Sequence, residues 1–154
     1  MYMDVDLSTS TLYLKPLLDA IREEHYAIAT GSRMLKESRT DRSRKRRMMC
    51  LFFNLLVRLM LRSSIRDHQC GFKAFLKDAL MSILDEIRDE RWLCDTELLV
   101  RAQWMGYRIK EILVVWEDKS GAYTKVRTLH DSATMLLMIA ELYFALKSGR
   151  RKKD

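Results

Sequence analysis

A chain of 154 residues is the size of one domain, and 48% hydrophobic residues are enough for a real core. The net charge of +7 asks for an anionic partner, whether nucleic acid, a phosphorylated substrate or an acidic membrane surface. Cys50, Cys70 and Cys94 are odd in number and not closely paired, which argues against a disulfide framework and for reduced thiols in a cytoplasmic protein; His25, His68 and His130 lack zinc-ligand spacing.

The opening stretch, Tyr2-Met3-Asp4-Val5-Asp6-Leu7-Ser8-Thr9-Ser10, is a short apolar run that ends in two carboxylates two residues apart. In an extended strand residues i and i+2 share a face, so Asp4 and Asp6 point the same way. Hard cations such as Mg²⁺ and Mn²⁺ take oxygen ligands, and Mg²⁺ commonly uses one or two protein carboxylates beside substrate phosphates. The pair is thus a candidate metal–diphosphate site. The same two acids also suit a solvated strand edge or the cap of the next helix.

Ser8-Thr9-Ser10 is able to cap a helix over Thr11 to Glu24, where Leu14, Leu17, Leu18 and Ile21 recur at helical spacing and Pro16 falls in the tolerant first turns. A short apolar strand, Tyr26 to Thr30, follows and ends at Gly31-Ser32-Arg33. Strand, helix, strand in this order predicts an α/β fold with a parallel sheet, whose ligands lie beyond the carboxyl ends of the strands. Asp4, Asp6 and Arg33 would share that edge.

Arg39 to Arg47 is densely basic and runs into the apolar helical stretch Met48 to Leu61. That stretch is shorter than the roughly 20 residues a bilayer span needs. A basic run feeding an apolar helix suits docking on an anionic membrane, and it equally suits a buried helix with a solvated start. Nucleic acid is disfavoured, because the aromatics lie on apolar faces and are not interleaved with the arginines.

Ile65-Arg66-Asp67-His68-Gln69-Cys70-Gly71-Phe72-Lys73-Ala74-Phe75 adds the most specific pattern. Together with the opening Asp-x-Asp, Gly31-Ser32-Arg33, Arg91-Trp92-Leu93-Cys94-Asp95-Thr96-Glu97-Leu98-Leu99 and the strand Ile109 to Trp116, it resembles the family-2 glycosyltransferases that load dolichyl phosphate with a sugar. The dolichyl-phosphate β-glucosyltransferases are the nearest in pattern and the dolichyl-phosphate mannose synthases next.

The resemblance implies a partial GT-A, Rossmann-like α/β domain over 1–125, with a mixed sheet and flanking helices, and an amphipathic helix and basic tail over 126–154. It implies inverting transfer of glucose or mannose from UDP-glucose or GDP-mannose to dolichyl or polyprenyl phosphate, at the cytoplasmic face of the membrane. Asp4 and Asp6 match the metal-binding pair, for Mg²⁺ or Mn²⁺, and Ser8 stands where some relatives have a third contact. Arg33 and Arg46 match arginines that bind the lipid phosphate, and Cys50 stands where some relatives have serine. Lys119 and Lys125 lie near cations beside the acceptor. Asp95 matches the acceptor-side catalytic carboxylate, whereas Glu97 reads as structural. Trp92 suits either the core or the border of the sugar, and Gln69 either the sugar or a loop backbone.

The remaining elements are a helix from Asp95 to Met105 stopped by Gly106, and a strand from Tyr107 to Trp116 with Ile109, Glu111, Leu113 and Val115 on one face. A loop from Glu117 to Lys125 and an interfacial helix from Val126 to Lys147 complete the chain. Relatives reach the Asp-x-Asp only after two nucleotide-binding βα units, so an unpaired sheet edge is expected here, one that recruits a separately encoded amino-terminal half or a second copy. Little transferase activity is expected of this polypeptide alone. The competing expectation is a non-catalytic membrane-binding or scaffold remnant.

Overall fold

The computed structural model describes residues 1–4, 8–41, 44–87, 93–117 and 128–150. Its main sheet has four strands, β1 (Tyr2–Met3), β2 (Ile28–Ser32), β4 (Phe72–Phe75) and β5 (Ile109–Leu113), in the order β1-β4-β2-β5. A small second sheet pairs β3 (Arg39–Asp41) with β6 (Val115–Glu117) in parallel. The helices are α1 (Leu14–Arg22), α2 (Arg44–Leu61), α3 (Lys77–Leu84), α4 (Cys94–Trp104) and α5 (Thr128–Arg150).

The sheet is mixed, as the resemblance implies, although the strand–helix–strand unit taken alone predicts parallel neighbours. β1 and β2 do run the same way on either side of α1, but β4 lies between them and is antiparallel to both, while β2 and β5 are parallel. A mixed sheet flanked by helices is consistent with a partial Rossmann-like, GT-A-type arrangement. Ser10 caps a single 3₁₀ turn, Thr11–Tyr13, through a 3.4 Å bond from Leu12 N, and α1 proper begins only at Leu14. Leu17 and Ala20 of α1 bury against Ala29, Phe72, Ile112 and Val114 on one face of the sheet. The opposite face holds Ile28, Ile65, Ile83, Leu98, Leu99 and Ala102, so α3 and α4 form the third layer. Each such fully buried Leu, Ile or Val contributes about 1.5–3 kcal/mol.

β2 is buried along its whole length, as befits a central strand covered on both faces, and its neighbours Ile28 and Ala29 serve opposite cores. The expected alternation in β5 also holds, with Ile109 on the α3/α4 side and Ile112 on the α1 side. The strand nevertheless ends early. The Ser38 hydroxyl donates to Ser32 O at 2.6 Å and accepts from Val114 N at 3.4 Å, inserting a side chain where β2 and β5 would have continued pairing. The chain breaks at Val114 and resumes as β6 beside β3, and Thr9 bridges to Trp116 on the other side.

α2 begins at Arg44, inside the basic run, whose first residues form β3 instead. It buries Cys50, Phe53, Val57 and Leu61, of which Phe53, Val57 and Leu61 pack with Ile139, Leu142 and Leu146 of α5 and Val100 of α4. Its outer side exposes Met48, Leu51, Phe52, Leu55 and Leu59 in one stripe at helical spacing. α4 ends one residue before expectation, and Gly106 follows with φ +85°, a left-handed conformation that glycine adopts freely. No helix among the described residues is long and apolar enough to cross a membrane. The loop expected over 117–125 lies, past Glu117, outside the described residues.

Candidate active site

β1, β2 and β5 end at the same edge of the sheet, where β4 begins, and this edge collects the charged side chains. Beyond β1, Asp4 N donates to Gly71 O at 2.9 Å, extending the β1–β4 ladder by one bond. The Asp4 carboxylate rests directly on Gly71: a Cβ there would lie 2.0 Å from Oδ1 and 2.4 Å from Oδ2. Only a residue without a side chain allows this approach.

Two residues on, Lys73 of β4 is fully buried, with its ammonium 2.9 Å from Asp95 Oδ1. Nζ also donates to Cys70 O, and Tyr2 OH donates to the same Asp95 oxygen. The Tyr2 ring lies 5.5 Å from Nζ and stacks on Phe75 at 5.8 Å, so β1 and β4 close over the lysine. Burial pulls Lys73 down to about 8 and pushes Asp95, in the first turn of α4, up to about 6. At neutral pH both remain charged, and Asp95 keeps 32% of its side chain exposed.

Beyond β2, the Arg33 guanidinium is held by Asp67 through Nε to Oδ2 at 2.6 Å and Nη2 to Oδ1 at 2.8 Å, and Arg33 N donates to Oδ2 at 2.9 Å. Burial alone would raise the Asp67 carboxyl, but the guanidinium against it holds it below the usual range; Asp67 in turn keeps Arg33 above its own. Arg33 lies over the Trp116 ring, 5.9 Å from the centroid, and 4.0 Å from Cys50 Sγ. The turn that carries Asp67 is pinned to β5, because Arg66 N and Asp67 N both donate to Glu111 Oε1 at 3.1 Å.

Next to Asp67, His68 ties this edge to α2. His68 N and Nδ1 both approach Asn54 Oδ1, at 2.9 and 2.8 Å, and Nε2 lies 2.8 Å from Ser63 Oγ. Asn54 Nδ2 donates to Cys50 O, so Oδ1 is the acceptor and Nδ1 carries the proton. Burial brings the imidazole down to about 4, and it is neutral. Burial also pushes the Cys70 thiol up to about 11, which leaves it an unreactive packing group.

The structure therefore brings Asp4, Asp95 and Arg33 to one edge. Ser8 is buried beside β6, its carbonyl accepting from Glu117 N at 2.9 Å. Arg46 is half-buried near the start of α2, and Gln69 is half-buried, with its backbone N donating to Asp67 Oδ1 at 3.2 Å. Glu97 is buried and accepts from Arg101 Nε at 2.7 Å. Asp6, Trp92, Lys119 and Lys125 lie outside the described residues.

Asp67 and Lys73 were missed by sequence reasoning, although a lysine inside Phe-Lys-Ala-Phe was a signal, since a charged residue in a central strand needs a partner. Among the described residues no three or more His, Cys, Asp or Glu side chains group to hold a metal ion. The Asp4 carboxylate, seated in a cradle that a Cβ would fill, offers the hard oxygen donors that Mg²⁺ or Mn²⁺ takes. To that extent the residues present fit such a cation.

No family model matches the chain. Comparison with individual proteins nevertheless gives a class: the chain is homologous to the dolichyl-phosphate β-glucosyltransferases, sugar transferases of family 2, over part of their length. It is 43% identical over 145 residues to glycosyltransferase AglD of Haloferax volcanii, covering 94% of this chain and 23% of that protein. It is 32% identical over 126 residues to dolichyl-phosphate β-glucosyltransferase ALG5A of Trichomonas vaginalis, covering 82% of this chain and 39% of that one. The human dolichyl-phosphate β-glucosyltransferase is 41% identical over 98 residues, 62% of this chain and 30% of that protein. The chain thus spans well under half the length of each of these three relatives.

Proposed function

We propose that this chain carries the metal and acceptor side of an inverting glycosyltransferase that moves glucose or mannose from UDP-glucose or GDP-mannose to dolichyl or polyprenyl phosphate. The observation that carries the reading is the meeting, on one sheet edge, of a carboxylate cradled on Gly71 and a buried, oriented guanidinium, within a segment homologous to such transferases.

A lipid phosphate is already an anionic nucleophile, so the task is to bring two anions together rather than to remove a proton. Asp4, with Asp6, would hold Mg²⁺ or Mn²⁺, which when bound neutralises the diphosphate leaving group of the donor. Arg33 supplies positive charge for the acceptor phosphate, and Asp67 fixes the plane of its guanidinium so that little ordering remains to be done on binding. Arg46, Lys119 and Lys125 add charge for the same phosphate, Ser8 a third contact for the cation, and Gln69 and Trp92 contacts for the sugar. Asp95 faces the acceptor as the catalytic carboxylate, already ionised at neutral pH.

The exposed stripe of α2, with Arg44, Lys45, Arg47 and Arg58 exposed beside it, would rest on the cytoplasmic face of an anionic membrane where the lipid acceptor resides. The same stripe supports the second reading, a non-catalytic membrane-binding scaffold.

The test is formation of lipid-linked sugar by the full chain, alone and supplemented with a nucleotide-binding βα segment, in the presence of Mn²⁺, dolichyl phosphate and UDP-glucose or GDP-mannose. Product that disappears in Asp4→Ala and Asp6→Ala is the expected result. Absence of product under every combination, with anionic-liposome binding intact in both variants, leaves the scaffold reading standing and overturns the transferase.

A further inference from the structure

Lys73 has no part in the transfer described above, yet its ammonium is fully buried and lies among the charges of the site. A buried ammonium persists in a fold only where carboxylates or carbonyls receive it. Lys73 has Asp95 Oδ1 at 2.9 Å and the carbonyl of Cys70, and it feels the negative charges of Asp67 and Asp4. Tyr2 OH binds the same Asp95 oxygen from the neighbouring strand. Two donors on two strands therefore fix one oxygen of a carboxylate that begins a different element, α4.

We propose that Lys73 is a positioning residue that reserves Asp95 from the divalent cation, tying it to β4 so that Asp4 binds the metal while Asp95 stays a separate anionic group. The inference rests on the reading of Asp4 as a metal ligand. A dication at Asp4 attracts every nearby carboxylate, and a carboxylate on a helix start is easily drawn into its shell. A fixed cation bonded to that carboxylate holds it back. Without the ammonium, Asp95 keeps the Tyr2 hydroxyl but loses its compensating charge, so a dication at Asp4 can draw it in, and a second carboxylate in the shell raises affinity steeply.

The experiment is Mn²⁺ binding to the full chain, read as the loss of free-Mn²⁺ electron paramagnetic resonance signal, with folding checked by circular dichroism. Lys73→Met is expected to bind Mn²⁺ about tenfold more tightly than the wild type. Lys73→Met/Asp95→Asn is expected to lose that gain, because the gain is the recruitment of Asp95. A double variant as tight as Lys73→Met would overturn the proposal, since removal of a repelling charge would then account for the whole effect, and so would a Lys73→Met no tighter than wild type.

Should Lys73→Met not fold, Asp95→Asn alone decides: a loss of Mn²⁺ affinity under about fivefold supports a carboxylate outside the metal shell, and a larger loss refutes it. Failure of the underlying reading has a different pattern. Neither the wild type nor any variant then binds Mn²⁺, or Asp4→Ala binds as well as the wild type, and the proposal falls with it.

Discussion

Asp67→Asn is the substitution on which the architecture of the edge can be judged most directly. The two side chains of the Arg33–Asp67 pair are 5% and 0% exposed, so among the described residues the buried guanidinium has this carboxylate as its compensating charge. Asn keeps the size of Asp and one acceptor oxygen. It removes the negative charge and turns an amide NH₂ toward a cation. Breaking a buried pair from one side costs about 3–5 kcal/mol, because the surviving charge is left uncompensated. With a urea dependence of about 2 kcal/mol per molar, typical of a small domain, the unfolding midpoint should fall by about 2 M. The measurement is urea unfolding followed by Trp fluorescence and circular dichroism together. Arg33→Met/Asp67→Leu, which removes both charges and keeps the volume, should recover most of the loss. A single variant within about 1 kcal/mol of the wild type would refute the claim that the pair is dry and mutually dependent.

Gly71→Ala should leave the β4 ladder intact yet displace the Asp4 carboxylate, whose oxygens a Cβ would meet at 2.0 and 2.4 Å, so Mn²⁺ affinity should drop at least tenfold with little change in unfolding midpoint; calorimetric titration checks it. His68, brought down from 6.5 to about 4, refuses a proton that the unfolded chain accepts, so its contribution to stability falls as pH drops from 6.5 toward 4. Asp95, raised from 3.8 to about 6, takes its proton first in the folded state and opposes that trend. Urea unfolding of Asp95→Asn should therefore show the decline more steeply than the wild type, up to about 1.4 kcal/mol per pH unit, and nitrogen NMR should find His68 neutral and protonated at Nδ1 at pH 5.5. Leu55→Glu, on the outer stripe of α2, should change stability by no more than about 0.5 kcal/mol while weakening sedimentation with anionic liposomes, whereas Phe53→Glu, facing α5, should unfold the protein.

Local signals carried well from sequence to structure. The leucine spacing of α1, the stop at Gly106 and the two-residue alternation along β5 each follow from contacts within one element, and each is found within a few residues of its expected place. What failed to carry was non-local. β4 enters between β1 and β2 from more than thirty residues further on, and period-two patterning says nothing about which strand becomes whose neighbour. The break at Val114 depends on a single hydroxyl, Ser38, arriving from another loop, and a strand in the basic run at Arg39–Asp41 exists only because β6 pairs with it.

The site divides in the same way. Asp4 and Arg33 could be placed at one edge because each ends a strand of a strand–helix–strand unit. The partners that fix that edge could not, since Asp67 reaches Arg33 across 34 positions and Asp95 reaches Lys73 from a separate helix. A motif names residues one at a time, whereas their charge states come from pairs.

Asn54 has a mechanical meaning beyond its hydrogen bonds. Apolar contacts are non-directional, so by themselves they set no unique register for a helix against its neighbours. A carboxamide oxygen gripping both the main chain and the ring of His68 permits no change of register without rupturing two polar links in a dry interior. α2 is thereby riveted to the residue next to Asp67, so a push on its greasy outer flank travels to the charged rim as displacement of a rigid block rather than being absorbed by repacking.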